Sequence, residues 1–278
     1  ADEFNLKTIT GTIVNSNSDD DTINVTVSAT NSSIYGGRQR DSITVAKVTD
    51  GLIRGDANED EITITGNISG TIINGNADND TIEIQSATAT NSTIYGGAGV
   101  DDIDGTAAAD ALYIDGNKGN DVIDVASAKK HTIYGGVGDD NIDTAGTATK
   151  AVLIYGGAGD DSITYGVAAT DDTHTVSGGD GDDSITGSDG KESIDGGVGD
   201  DTLIGGGGDG TIYGRAGADT IDLQKVLNLI KDYNIISECY SKADYFVNLA
   251  SNALNIFKDT KEKDTLKKLT YFSLERNY

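Results

Sequence analysis

The chain has 278 residues, of which 36% are hydrophobic, and it contains 37 Gly, one Cys and no Pro, Met or Trp. Its formal net charge of −26 excludes nucleic acid as a partner, because phosphates repel such a chain, and it favours cations. No apolar run approaches the roughly 18–20 residues that span a bilayer, and the single Cys239 excludes an intramolecular disulfide framework. Because residue 1 is not Met, we expect the chain to be either processed or a fragment of something longer.

The first predicted element is a repeat of 18 to 22 residues that occupies residues 5–222. Each repeat contains an aspartate, with one aliphatic residue seven positions before it and another two positions after it. A single repeat of this size cannot bury its apolar face, whereas stacked repeats form two continuous aliphatic ladders. The sequence therefore predicts an all-β fold, a flattened parallel β-solenoid of about eleven coils. The aspartates are Asp21, Asp41, Asp60, Asp80, Asp101, Asp121, Asp140, Asp161, Asp183, Asp201 and Asp219.

A six-residue turn separates the two short strands predicted in each coil, as in "GGVGDD" at 135–140. Glycine at turn positions one, two and four permits positive φ and lets the carbonyls converge, and the aspartate at position six supplies a carboxylate. Coils that stack in register place these carboxylates within a few ångströms of each other, so a cation must lie between them. Carboxylates and carbonyls in a flexible cage suit Ca²⁺ better than Mg²⁺, and the Cys and His ligands of Zn²⁺ are missing from the turns.

These turns resemble the nonapeptide GGxGxDxUx of RTX (repeat-in-toxin) proteins, whose parallel β-rolls bind Ca²⁺. The match is "GGDGDDSIT", "GSDGKESID", "GGVGDDTLI" and the partial "GGGGDGTIY", continuous from Gly178 to Tyr213. In that family, Ca²⁺ lies between turns of neighbouring coils, held by the position-six carboxylates and by turn carbonyls. The resemblance implies these ligands, each glycine through its carbonyl: Asp80, Gly96, Gly99, Asp101, Gly116, Gly119, Asp121, Gly135, Gly138, Asp140, Gly156, Gly159, Asp161, Gly178, Gly181, Asp183, Gly187, Gly190, Glu192, Gly196, Gly199, Asp201, Gly214, Gly217 and Asp219.

The chain departs from the RTX pattern before Gly178. RTX rolls carry calcium turns on both edges, but here only one edge has the motif until that residue, so we expect binding on both edges only near residues 187–210. The early turns "GGRQRD" and "GDANED" have lost glycines, which predicts that Ca²⁺ fills the later turns first. Beside Asp41, a guanidinium from Arg38 or Arg40 could replace the metal charge, or both arginines could be solvated.

Residues 223–278 form the second predicted domain. They contain nine Lys or Arg and seven Asp or Glu, a net charge of +2, which leaves −28 on the solenoid. Apolar residues recur at helical spacing and predict two or three amphipathic helices. Three roles stay open: a cap on the last coil, the C-terminal type I secretion signal that the RTX resemblance implies, or a subunit interface. The apolar residues are Val226, Leu227, Leu229, Ile230, Tyr245, Phe246, Leu249, Ala253, Ile256 and Phe257.

No catalytic arrangement is visible, so we expect that the protein is not an enzyme. The two histidines, His131 and His174, are predicted to be solvated turn residues, and Cys239 to be a half-buried helix residue. Paired acids such as Asp139 and Asp140 recur along the rod, which indicates metal binding, since an active site needs one special pair.

Several tyrosines precede the turns. We expect them to form a structural ladder across coils, with stacking on sugars as the alternative. They are Tyr35, Tyr95, Tyr134, Tyr155 and Tyr213.

The sequence thus predicts a secreted, calcium-binding structural protein of the extracellular space or cell surface that folds when Ca²⁺ binds. Its regular rod suits self-association through the solenoid ends into a surface layer or filament. Lys7 is the only charged residue expected to hinder pairing of the first strand with another chain. A cell-surface anchor is a further candidate partner. The alternative is the C-terminal repeat domain of a larger RTX toxin, protease or adhesin.

Overall fold

The computed structural model describes residues 1–85, 88–105, 109–125, 130–148, 152–167, 173–188, 190–206, 210–222, 230–231, 233–255, 258 and 260–272. The chain forms two compact units, Ala1–Asp222 and Leu223–Tyr278. The first is a parallel β-solenoid, so the predicted fold class is confirmed.

Two sheets build the solenoid. Among the described residues, the first sheet has eleven strands: β2 (Ile13–Asn15), β4 (Ser33–Arg38), β7 (Leu52–Ala57), β10 (Ile72–Ala77), β13 (Thr93–Ala98), β16 (Tyr113–Lys118), β18 (Thr132–Val137), β20 (Leu153–Ala158), β22 (Thr173–Asp180), β24 (Lys191–Val198) and β26 (Thr211–Ala216). The main row of the second sheet is β1 (Glu3–Thr10), β3 (Thr22–Thr30), β5 (Ser42–Val45), β8 (Glu61–Ile64), β11 (Thr81–Ile84), β14 (Asp102–Gly105), β17 (Val122–Val125), β19 (Asn141–Ala148), β21 (Ser162–Val167), β23 (Ser184–Thr186), β25 (Thr202–Ile204) and β27 (Thr220–Ile221).

A short second row extends the second sheet in the early coils, which the sequence did not predict. It contains β6 (Val48–Thr49), β9 (Ile68–Ser69), β12 (Ala89–Thr90) and β15 (Ala109–Asp110). The early coils are about twenty residues long, and the additional residues form this row. Val48, Ile68 and Ala89 are buried and add a third line of apolar side chains to the core.

The core consists of the predicted aliphatic ladders. Ile133 is opposite Ile154 in the first sheet, and Ile142 is opposite Ile163 in the second. All four side chains are fully buried. Since burying one such side chain contributes about 1.5–3 kcal/mol, the ladders supply the main stabilisation of a chain this polar. In the last coil the ladder opens to solvent, where Ile221 is 38% exposed.

The two histidines are buried inside the edge opposite the glycine–aspartate turns, so the prediction of solvated residues was wrong. His131 is 1% exposed and His174 is 0% exposed. The Leu112 backbone N–H donates to His131 Nδ1 over 3.0 Å, and the Val152 N–H donates to His174 Nδ1 over 3.2 Å. Each imidazole therefore satisfies a backbone donor of the preceding coil.

The second unit contains the helices α1 (Ile235–Leu254) and α2 (Lys261–Phe272). Val247 of α1 and Lys263 of α2 are buried. Cys239 lies on α1 but is exposed rather than half-buried. Among the described residues no helix is long and apolar enough to cross a membrane. The predicted helical residues Val226, Leu227, Leu229, Ile256 and Phe257 lie outside the described residues.

Candidate metal-binding ladder

The position-six aspartates form one hydrogen-bonded ladder inside the solenoid edge. The Asp121 N–H donates to Asp140 Oδ1, and the Asp140 N–H donates to Asp161 Oδ1, both over 2.8 Å. The same bond recurs between every pair of successive coils from Asp21 to Asp219. The structure therefore brings together all the aspartates of the predicted ligand set.

The second oxygen of each ladder carboxylate except that of Asp219 is buried without a hydrogen-bond partner. This is true of Oδ2 in Asp21, Asp41, Asp60, Asp80, Asp101, Asp121, Asp140, Asp161, Asp183 and Asp201. A buried anionic oxygen without a donor is costly, and a cation is the group that removes this cost. These partnerless oxygens are thus the kind of ligand that a hard cation such as Ca²⁺ prefers.

Glycine at turn position one creates the space around this oxygen. A β-carbon added to Gly135 would lie 2.4 Å from Asp140 Oδ2 and 2.7 Å from the Gly156 carbonyl oxygen. The carboxylate oxygen and the carbonyl oxygen of the next coil therefore converge on one small volume. The predicted reason for this glycine, positive φ, was wrong, because positive φ occurs at positions two and four instead. Position one needs glycine for its lack of a side chain.

The degraded early turns keep the shape of the later ones. In "GGVGDD", Gly136 and Gly138 have φ of 126° and 130°. In "GDANED", Asp56 and Asn58 occupy the same positions with φ of 84° and 77°. Asn and Asp tolerate this left-handed region better than other residues with side chains. That Ca²⁺ fills the later turns first stays a prediction. Its physical basis is the backbone strain of non-glycine residues such as Asp56 and Asn58, which the glycines of the later turns do not have.

Burial raises the pKa of the ladder carboxyls from Asp41 to Asp201. Desolvation is the largest cause, and it raises the pKa of Asp60 to about 7, of Asp80 to about 8 and of Asp183 to about 7. For Asp60, the hydrogen bond from the Asp41 N–H lowers the pKa, and the negative charge of Asp41 raises it further. The ladder thus favours a proton or a metal ion on each carboxyl over a bare anion.

Asp41 uses no arginine in place of a metal ion. Its side chain is 1% exposed, whereas Arg38 and Arg40 are exposed. The ion pairs within the described residues join the Ala1 amino group to Asp19 and Arg215 to Asp195. Of the two alternatives, the structure supports the one in which Arg38 and Arg40 are exposed to solvent.

A second ladder, on the outer side of the same edge, was not predicted. The Asp160 N–H donates to Asp139 Oδ1 over 2.9 Å, and the Asp182 N–H donates to Asp160 Oδ1 over 2.8 Å. These position-five aspartates are exposed, and their bonds run in the opposite direction along the rod to those of position six. The recurring "DD" at the ends of the turns was the signal that could have indicated two ladders.

The opposite edge has its own buried carboxylate, Glu192. Glu192 Oε1 accepts bonds from the Ser188 N–H and the Ser188 hydroxyl, both 2.7 Å. A β-carbon on Gly187 would lie 2.5 Å from Oε2, so this turn uses glycine as the aspartate turns do. The phenol of Tyr165 also lies beside Glu192, and its pKa is raised first by burial and then by that carboxylate. Protein groups therefore already donate hydrogen bonds to the Glu192 carboxylate, which leaves less need for a cation there.

Side chains alone do not form a metal cage. Among the residues that the structure describes, no three His, Cys, Asp or Glu side chains come close enough to hold one ion. A cation between two coils would need backbone carbonyls, such as that of Gly156, in addition to the carboxylates. Stacked coils that alternate carboxylate and carbonyl oxygens define a class of protein, the β-rolls that bind cations at their turns.

Comparison with protein families identifies the roll. A family model described as RTX calcium-binding nonapeptide repeat (4 copies) matches residues 86–112, 113–127, 149–167, 170–203 and 195–223. The later coils therefore contain RTX calcium-binding repeats, as their motifs indicated. No curated protein and no solved structure matches it.

Proposed function

We propose that the protein is a secreted calcium-binding structural protein whose β-roll folds when Ca²⁺ enters the turns. The row of buried Oδ2 atoms without partners carries this proposal. Each ion would take the position-six carboxylates and the turn carbonyls of two successive coils, the ligand set that the RTX resemblance implies. Because that set exists only when coils stack, binding free energy acts as folding free energy. Sites of this class are half-filled at roughly 10⁻⁴–10⁻³ M, which suits an extracellular protein.

Neighbouring aspartates of one turn provide the first test. Asp140→Asn keeps an oxygen for the Asp121 N–H but removes the charge of the buried oxygen, so we expect weaker binding at the gaps on both sides of this coil. The matched control, Asp139→Asn, changes an exposed carboxylate and should keep all ions. Isothermal titration with Ca²⁺ measures the number of ions and their affinity. Equal losses in the two variants would show that the buried row is not the ligand row.

We further propose that the roll self-associates end to end at the cell surface, as a layer or a filament. The support is the first coil, where β1 pairs with β3 on one side and, within the described residues, has no strand on the other. Ile13 of the adjacent β2 is 74% exposed. An open strand edge with apolar residues pairs readily with another chain, and head-to-tail contacts propagate.

Light scattering at saturating Ca²⁺ tests this assembly. We expect particle mass to grow with protein concentration in the full chain, because the open edge of its first coil can pair with another chain. Ile13→Lys, which adds a charge to an exposed position, should reduce growth without unfolding the roll. A strictly monomeric full chain would contradict the assembly and leave the reading as a repeat domain of a larger RTX protein.

A further inference from the structure

Four tyrosine rings contact one another in a row on the outer face of the first sheet, edge-on at Tyr95 and Tyr113 and stacked at Tyr134 and Tyr155. The ring centroids of Tyr95 and Tyr113 are 6.0 Å apart, those of Tyr113 and Tyr134 are 5.6 Å apart, and those of Tyr134 and Tyr155 are 4.9 Å apart. The predicted tyrosine ladder is therefore present in these coils, with Tyr113 as an additional member. The predicted member Tyr213 instead carries the guanidinium of Arg215, 4.8 Å from its ring centroid.

A shallow groove of about 520 Å³ lies at the start of this stack, and its lining includes Asn74, Asn76, Tyr95, Asn117, Lys118 and Val137. These residues belong to four successive coils, so the groove runs along the rod for about 14 Å, three strand spacings. Gly97 is also part of the lining.

The lining combines one aromatic ring with planar polar groups. Tyr113 packs on one side of Tyr95, and on the other side the adjacent strand places Asn74 opposite Tyr95. The amide oxygen Asn74 Oδ1 is buried without a hydrogen-bond partner, so rotation of this amide would offer an acceptor to a ligand. On the neighbouring strand, Asp115 pairs in register with Tyr95, and it accepts from the Tyr113 hydroxyl and from the Asn117 N–H, each over 3.1 Å, which fixes the carboxylate in place.

We propose that this groove binds a linear, uncharged polysaccharide that lies along the rod. The apolar C–H face of a sugar ring packs on an aromatic ring, and its hydroxyls pair with amides and a carboxylate. The rod offers such a chain the same coil spacing, about 4.8 Å, at each step. Among the described lining residues only Lys118 is a cation, and the chain carries a net charge of −26. Repulsion therefore disfavours an acidic polysaccharide. A peptide has less to gain, because this is a sheet face and the strands already pair with each other.

Affinity electrophoresis of the calcium-loaded full chain tests the inference. The gels contain hydroxyethyl cellulose, galactomannan or, as the acidic comparison, alginate. We expect retardation by at least one of the two neutral polymers and none by alginate. Tyr95→Ala should weaken binding about tenfold, since aromatic stacking supplies up to about one such factor, while Tyr95→Phe keeps most of it.

Tyr213→Ala is the matched control, because it removes a ring from the same column of the sheet at the last coil, outside the groove. It should bind like the unaltered chain. The proposal is overturned if neither neutral polymer retards the protein, if alginate retards it more, or if Tyr95→Ala binds like Tyr213→Ala. Circular dichroism and calcium titration of each variant show whether the roll is folded and loaded, so a failure of the calcium proposal is seen separately.

Discussion

Removal of calcium at neutral pH is expected to unfold the solenoid, residues 1–222. Without a cation, ten buried carboxyl oxygens within the described coils lack a hydrogen-bond partner, and the unit carries a net charge of −28 by the count above. The hydrophobic ladders alone must then offset both desolvation and repulsion. Circular dichroism in EGTA should show a disordered chain at pH 8, and millimolar Ca²⁺ should restore the β signal. An unchanged β spectrum in EGTA would contradict calcium-linked folding.

Acid should replace calcium in part, and the sign follows from the pKa values. Burial raises the pKa of Asp60 to about 7 and of Asp80 to about 8, from 3.8 in an unfolded chain. The folded state therefore binds protons more tightly, and the contribution of these two groups to stability is complete below pH 3.8 and lost as the pH rises through about 7–8. In EGTA, the β signal should appear on acidification from pH 8 to pH 5. With calcium, protons compete for the same oxygens, so acid should lower calcium affinity.

The sequence predicted the repeat well because one constraint recurs in every coil. A side chain such as Ile133 must lie over Ile154, so the period of the aliphatic residues alone gives the register. The aspartate row followed from the same period. The role of Gly135 did not, because a glycine is compatible with both positive φ and close approach, and only the position of Asp140 Oδ2 distinguishes the two.

The histidines show a different limit. His131 and His174 were judged as polar residues of a turn, yet each lies two positions before an inward aliphatic residue and so points inward as well. Ser32 and Ser92 occupy the equivalent positions and accept backbone N–H groups in the same way, each over 3.2 Å. At the edge without glycine–aspartate turns, side chains of different types thus accept hydrogen bonds from the buried backbone N–H groups. Because the residue type varies from coil to coil, the sequence gives no repeating motif for these positions.

Gly135→Ala is expected to destabilise the roll and to remove a calcium site at the same time. Its β-carbon would lie 2.4 Å from Asp140 Oδ2 and 2.7 Å from the backbone oxygen of Gly156, and backbone cannot move aside without shifting the next coil. We expect a loss of unfolding free energy of about 1–3 kcal/mol from overpacking alone. Since the methyl group occupies the volume where the two oxygens converge, the calcium site between these coils should be lost as well.

Gly105→Ala is the control that distinguishes the steric effect of the added methyl group from the general effect of replacing a glycine in a strand. Gly105 is also a buried strand glycine, but a β-carbon there would have Val125 Cγ1 as its nearest neighbour, at an ordinary 3.6 Å. Because alanine also restricts the unfolded chain, this variant should be neutral or stabilised by about 0.4–1 kcal/mol. Urea unfolding at saturating Ca²⁺, with calcium counted by titration, compares the two variants. If both lose the same stability, or if Gly135→Ala keeps every ion, then glycine at turn position one does not form the calcium site, and the buried oxygen of Asp140 must be satisfied in another way.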